Sequence, residues 1–97
     1  GKKFFPLSSR NKLLSKKDFK KGQKVSTILK NYYLSIKKNK QNFQVINKIK
    51  LKILKNVDKL EYLVLKNKNN MTNRFNKNNF KIFICYYLNN VRLIDNY

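Results

Sequence analysis

Apolar residues recur at Val25, Ile28, Leu29, Tyr32, Tyr33 and Ile36, the series that lines one face of an α-helix. On the opposite side of that helix fall Thr27, Lys30, Asn31 and Lys37, with Leu34 the one apolar residue among them. The pattern predicts a helix with a core face and a polar, cationic back, ending in a solvated loop of Lys37, Lys38, Asn39, Lys40, Gln41 and Asn42. Phe43 to Ile46 suit either a short strand or a lead into the next element. A second series, Ile46, Ile49, Ile53, Val57 and Leu60, predicts another amphipathic helix, with Lys48, Lys52, Lys55 and Lys59 in step on its far side. Ile49, Leu51 and Ile53 also alternate with Lys50 and Lys52, as a strand would. The helix is preferred because Leu51 and Lys50 are its only misfits.

Period two takes over near the end of the chain. Leu60 to Lys66 is rich in β-formers, and Asn67 to Asn79 follows as an aperiodic polar loop. Phe80, Ile82, Ile84, Tyr86 and Leu88 then alternate with Lys81, Phe83, Cys85 and Tyr87, and Asn89-Asn90 separates this run from Val91 to Ile94. Two residues tolerant of positive φ between strand-like runs predict a tight β-hairpin, with its second face apolar enough to pack on the helices or on a partner. The expected fold is therefore α+β: two amphipathic helices packed on a small sheet with a C-terminal hairpin, in the order α-β-α-β-β. Residues 1–24 lack a sustained apolar period and read as a basic extension with one short helical turn. Residues 25–97 read as one small domain with an insertion at 67–79.

Charge narrows the function. Twenty-four Lys and Arg oppose four acids, Asp18, Asp58, Asp95 and Glu61, for a net charge of +20 in 97 residues. Sixteen Asn, no Ala and two Gly point to an AT-rich coding sequence. That bias does not account for the shortage of Asp and Glu, so a strongly anionic partner is expected. The chain has no histidine, no acid paired with a base and no Gly-rich phosphate loop, which argues against catalysis. Four scattered carboxylates and one thiol give no metal-ligand cluster, and no cofactor is expected. Cys85, the only cysteine, reads as a small apolar residue within a strand. No apolar run approaches the roughly 20 residues needed to span a bilayer.

What remains is RNA binding by charge and shape, with phosphate contacts supplying affinity without reading sequence. The candidate contacts are Thr27, Lys30, Asn31, Lys37 and Lys38 on the first helix, Lys48 on the second, and Lys12, Lys16 and Lys20 in the extension. Tyr32, Tyr33, Tyr86 and Tyr87 could stack on bases, but at helical or strand spacing they are expected in the core.

Several strings in register resemble the N-terminal domain of the small-subunit ribosomal protein S-eight family of bacterial and organellar ribosomes. They are Thr27-Ile28-Leu29-Lys30-Asn31, the basic pair Lys37-Lys38, Asn47-Lys48-Ile49-Lys50 continuing to Ile53-Leu54-Lys55, Glu61-Tyr62-Leu63, and Phe80 to Leu88 with Asn89-Asn90. The family's glycine before Tyr62 is missing, and its C-terminal RNA-binding half has no counterpart in the chain. The resemblance implies a structural constituent of the mitochondrial small ribosomal subunit, located in the mitochondrion. Its partners would be small-subunit rRNA and neighbouring ribosomal proteins, with no small-molecule substrate and no membrane. The rivals are a lineage-specific mitoribosomal protein unrelated to that family, and a basic module that lies on an anionic membrane surface.

Overall fold

The computed structural model describes residues 15–97, so Lys12 and most of the expected basic extension lie outside it. The first helix, α1 (Lys16–Lys37), begins in the lysine-rich stretch and runs through position 24, where the extension was expected to give way to the domain. Its start has a local cause: the Ser15 hydroxyl accepts a hydrogen bond from the Asp18 N–H at 3.1 Å, satisfying one of the helix's unpaired first-turn donors. Asp18 also places a negative charge in the first turn, where the helix dipole favours it. At the other end Asn39 takes φ 60°, the Asn39 N–H donates to Ile36 and the Lys40 N–H to Ser35. That reverse turn is a Schellman closure with asparagine in the position glycine usually holds.

Phe43–Val45 forms a turn of 3₁₀ helix, opened by the Asn42 side chain accepting from the Gln44 N–H at 2.9 Å, and leads directly into α2 (Ile46–Leu54). The short strand placed after the first helix in the expected order is therefore absent, and all three strands follow α2. α2 also stops well before Leu60: Leu51 and Leu54 are exposed, and Lys59 already belongs to a strand. Asn56 closes its end by donating from its amide to the Lys52 carbonyl.

β1 (Lys59–Asn67), β2 (Phe80–Leu88) and β3 (Val91–Asn96) form an antiparallel sheet in chain order. A bulge between Leu60 and Tyr62 interrupts the β1–β2 register at Glu61. Asn89 and Asn90 close the β2–β3 hairpin at φ 50° and 67°, the backbone of a type I′ turn. The Asn89 N–H donates to the Asp58 carboxylate at 2.6 Å, tying this turn to the start of β1.

Both helices cover one face of the sheet, giving the α+β arrangement that the periodicities predict. Val25, Leu29, Tyr32 and Ile36 of α1 and Ile49 and Ile53 of α2 are buried with Leu63, Leu65, Ile82, Ile84, Tyr86, Leu88 and Leu93. Each such side chain contributes roughly 1.5–3 kcal/mol of burial, which makes this layer the main source of stability. The Tyr32 hydroxyl donates to the Phe43 carbonyl at 3.0 Å, and burial pushes that phenol up to about 12. Tyr32 and Tyr86 are thus core residues, as their spacing indicates.

The connection from β1 to β2 is held by asparagine side chains. Buried Asn67 accepts from the Asn69 N–H at 2.8 Å and donates to the Arg74 carbonyl at 3.0 Å. Asn70 accepts from Thr72, Asn79 from the Asn76 N–H, and Asn73 from the Lys66 ammonium. Phe75 packs edge-on against Phe43 at 4.8 Å, anchoring the loop beside α2.

Candidate anion-binding groove

On α1, Lys20, Gln23, Lys24 and Thr27 fall at helical spacings that bring them onto one stripe. This stripe is solvent-facing, because the opposite arc of the helix, through Val25 and Leu29, is taken by the core. Ile28 borders the stripe on the core side, and Asn56 approaches from the end of α2. Together these six residues line an open groove of about 560 Å³. Its lining is mainly apolar, with Ile28 its one apolar residue and the methylene stems of the lysines beside it. The Thr27 hydroxyl donates to the Gln23 carbonyl at 3.0 Å, fixing its rotamer on the groove wall. The groove joins two cations, two amides and a hydroxyl to an apolar floor, a set suited to a small anion with a hydrocarbon body.

Of the RNA-contact residues expected from sequence, Lys16, Lys20, Thr27 and Asn31 follow one exposed stripe of α1, and the others are spread more widely. Lys20 and Thr27 meet in the groove. Lys30 lines a smaller cavity of about 260 Å³ with Tyr33, Leu34 and Tyr97. Asn31 continues the same stripe one turn beyond Thr27, and Lys16 begins it at the first residue of α1; both are exposed. Lys37 is turned to the β1–β2 connection, donating to the Lys77 carbonyl at 3.1 Å, with its ammonium 5.9 Å from the Tyr33 ring. Lys38 is the C-cap of α1, and Lys48 is exposed on α2. Gln23, Lys24 and Asn56 were missed. The repeat of polar residues at Lys20, Gln23/Lys24 and Thr27 was the available signal, hidden by treating this segment as part of the extension.

A second polar cluster sits on the sheet face away from the helices. The Arg92 guanidinium donates to both carboxylate oxygens of Glu61, each at 3.1 Å, and the Tyr87 hydroxyl donates to Glu61 at 3.0 Å. These partners, the Arg92 bond foremost, hold the Glu61 carboxyl down at about 2. The same bond to Glu61 raises the Tyr87 phenol and the Arg92 guanidinium. The Cys85 thiol lies 3.6 Å from Glu61, and burial pushes it up. A thiol so placed stays protonated and has little nucleophilic character. Among the described residues no group of three or more metal-ligating side chains occurs. No helix among them is long and apolar enough to cross a membrane.

A family model described as pantoate-beta-alanine ligase matches residues 2–97. Neither curated proteins nor solved structures give a match. The family match overturns the ribosomal resemblance, and with it the assignment to a mitochondrial small ribosomal subunit and the rRNA and ribosomal-protein partners. The lineage-specific ribosomal and membrane-surface rivals fall with it. It also overturns the expectations of no enzymatic role and no small-molecule substrate. The physical reason is that a cationic excess reports the sign of a ligand's charge and not its size. Likewise, a missing histidine argues only against proton transfer by that side chain. Forming an amide from an activated carboxylate can instead draw on positioning and on cations that stabilise negative charge, which lysines supply.

Proposed function

Because the chain belongs to the pantoate-beta-alanine ligase family, we propose that it serves in joining a hydroxy acid to an amino acid through an amide bond, with the α1–α2 groove holding the acid. Pantoate combines a carboxylate and hydroxyl groups with a branched aliphatic skeleton. Lys20 and Lys24 supply positive charge for the carboxylate, and Gln23, Thr27 and Asn56 supply polar groups for the hydroxyls. Ile28 and the lysine stems receive the branched carbons. The observation that carries the reading is that two lysines, Lys20 and Lys24, and the aliphatic Ile28 line one mainly apolar groove. The groove's contribution is binding and orientation: it holds the acid while ATP converts the carboxylate to a mixed phosphoric anhydride, and the phosphate portion then leaves as the amine attacks the carbonyl carbon.

Isothermal titration of the full chain with potassium pantoate tests this reading. Saturable binding is expected, weakening as salt is raised because both ammonium groups are exposed. The Lys20→Gln/Lys24→Gln variant is expected to lose affinity by about tenfold or more. A Lys38→Gln/Lys40→Gln control removes the same charge away from the groove and should retain binding. Equal losses in the two variants, or no loss in the first, would overturn the assignment.

A further inference from the structure

We propose that the sheet face turned away from the helices is a docking surface for a partner protein whose contact surface is apolar and rimmed by carboxylates. The pairing register places Tyr62 beside Cys85 and Cys85 beside Ile94, with Val64 beside Phe83 in the adjacent row. Directly paired residues project to the same side of a sheet, so Tyr62, Val64, Phe83 and Ile94 share one face with Tyr87. None of the five packs into the core with the helices. Ile94 is 48% exposed, and the other four are half-buried. Such a row of aromatic and branched side chains gives a partner apolar area to bury.

Charge selects the kind of partner. At the hairpin end of the face the Glu61–Arg92 pair is internally neutralised. At its edge Lys66 stands directly opposite Lys81 in the β1–β2 ladder. Like charges in directly opposed positions destabilise a strand pair. The Lys66 ammonium is bonded to the neutral Asn73 amide oxygen, which leaves the repulsion uncompensated by that contact. At the hairpin end Lys59 shares the row of Tyr87 and Arg92, its ammonium 5.4 Å from the Tyr87 ring. A carboxylate brought to either edge relieves this excess. A second copy of the chain, with a net charge of +20, would instead set cation against cation.

The test is an NMR titration of the ¹⁵N-labelled full chain with three synthetic amphipathic helical peptides: leucine-faced with glutamate flanks, leucine-faced with lysine flanks, and serine-faced with glutamate flanks. The first should move the amide resonances of Val64, Phe83 and Ile94 and leave those of Lys20 to Thr27 in place. The other two should bind at least about tenfold more weakly. Lys66→Glu/Lys81→Glu should reverse the preference between glutamate and lysine flanks, and Ile94→Ser should weaken the first peptide while the spectrum remains that of a folded chain. Several outcomes would overturn the proposal: shifts confined to the other sheet face, equal binding of the serine-faced peptide, a concentration-dependent dimer by sedimentation, or the same resonances moving with anionic vesicles and not with the peptide.

Discussion

The two faces of one sheet have been put to opposite uses. On the helix side β2 presents Phe80, Ile82, Ile84, Tyr86 and Leu88, all buried. On the other side it presents Lys81, Phe83, Cys85 and Tyr87, where an ion pair and hydrogen bonds organise the surface. A strand that is apolar on both sides usually lies between two layers. Here one layer is supplied by α1 and α2, and the described residues supply no helix for the second. Stability and recognition are thereby separated by the thickness of a strand. The difference should appear most strongly when a side chain is removed from each face. Ile53→Asp, which puts a charge where 0% of the side chain is exposed, should cost roughly 4 kcal/mol or more and unfold the domain in a chemical-denaturation experiment. Ile84→Ala should cost about 2–5 kcal/mol. Phe83→Ala, one residue away on the other face, should stay below about 1 kcal/mol. Equal costs for Ile84→Ala and Phe83→Ala would mean that the open face is packed as tightly as the core.

A second contrast lies between the helix layer and the β1–β2 connection. The first is held by burial, the second by asparagine amides. Asn67→Ala removes the bonds to Asn69 and Arg74 at once from a buried position, and should cost about 1–2 kcal/mol. Hydrogen exchange at the Asn69 and Thr72 amides should accelerate more than exchange at Leu29 or Ile49. Uniform acceleration would show that the loop and the helix layer open as one unit.

That loop also shows where the sequence misled. Its asparagines read as coding bias in an aperiodic stretch, yet Asn67, Asn70, Asn73, Asn76 and Asn79 each make a side-chain bond that shapes the connection. Side chains that fold a loop onto its own backbone carry no period, so hydrophobic spacing is blind to them. By contrast the α1 stripe at Val25, Leu29, Tyr32 and Ile36 and the alternation from Phe80 to Leu88 were legible, because burial on one side of a helix or strand writes its period directly into the chain. Asn89-Asn90 was legible for a local reason, since few residues accept positive φ twice in succession. The start of α1 was not, because Ser15 and Asp18 stand among lysines that were read for charge instead of for capping. The groove was hidden for the same reason, and Asn56 reaches it only through the packing of α2 beside α1.

Acid titration separates the two faces by sign. Glu61, on the open side, is held at about 2 against an ordinary value of 4.5, so its pairing stabilises the fold above pH 4.5, and this is lost as pH falls toward 2. Asp95 pairs with Ile84 on the helix side and is raised above its ordinary 3.8 by burial, despite its bond from the Tyr97 hydroxyl. Its protonated form is the one the fold prefers. That preference is fully present below pH 3.8 and is lost as pH rises through the folded value. Glu61→Gln should therefore lower stability at neutral pH, with a deficit that closes as pH falls from 4.5 toward 2. Asp95→Asn should raise stability at neutral pH, with an advantage that vanishes below 3.8. Thermal melts from pH 2 to 7 check both, and parallel profiles for the two variants would contradict the opposite environments assigned to the two carboxyls.

The smallest effect concerns the turn that joins the strands shared by both faces. Asn90 sits at φ 67°, a conformation that asparagine tolerates and glycine adopts without the Cβ penalty. The Asn-Gly pair is the favoured filling of a type I′ turn. Against this, glycine loses more backbone freedom on folding, so the net gain from Asn90→Gly should be only a few tenths of a kcal/mol. Asn89→Gly carries the same terms, but its N–H is already fixed by the 2.6 Å bond to Asp58, so the added freedom is confined chiefly to the unfolded chain. Its gain should be smaller than that of Asn90→Gly, or negative. Denaturation midpoints of the two variants measured side by side check the order. A larger gain at position 89 would mean that the Asp58 tie does not restrain the turn, and that the hairpin's register rests on β2–β3 side-chain pairing alone.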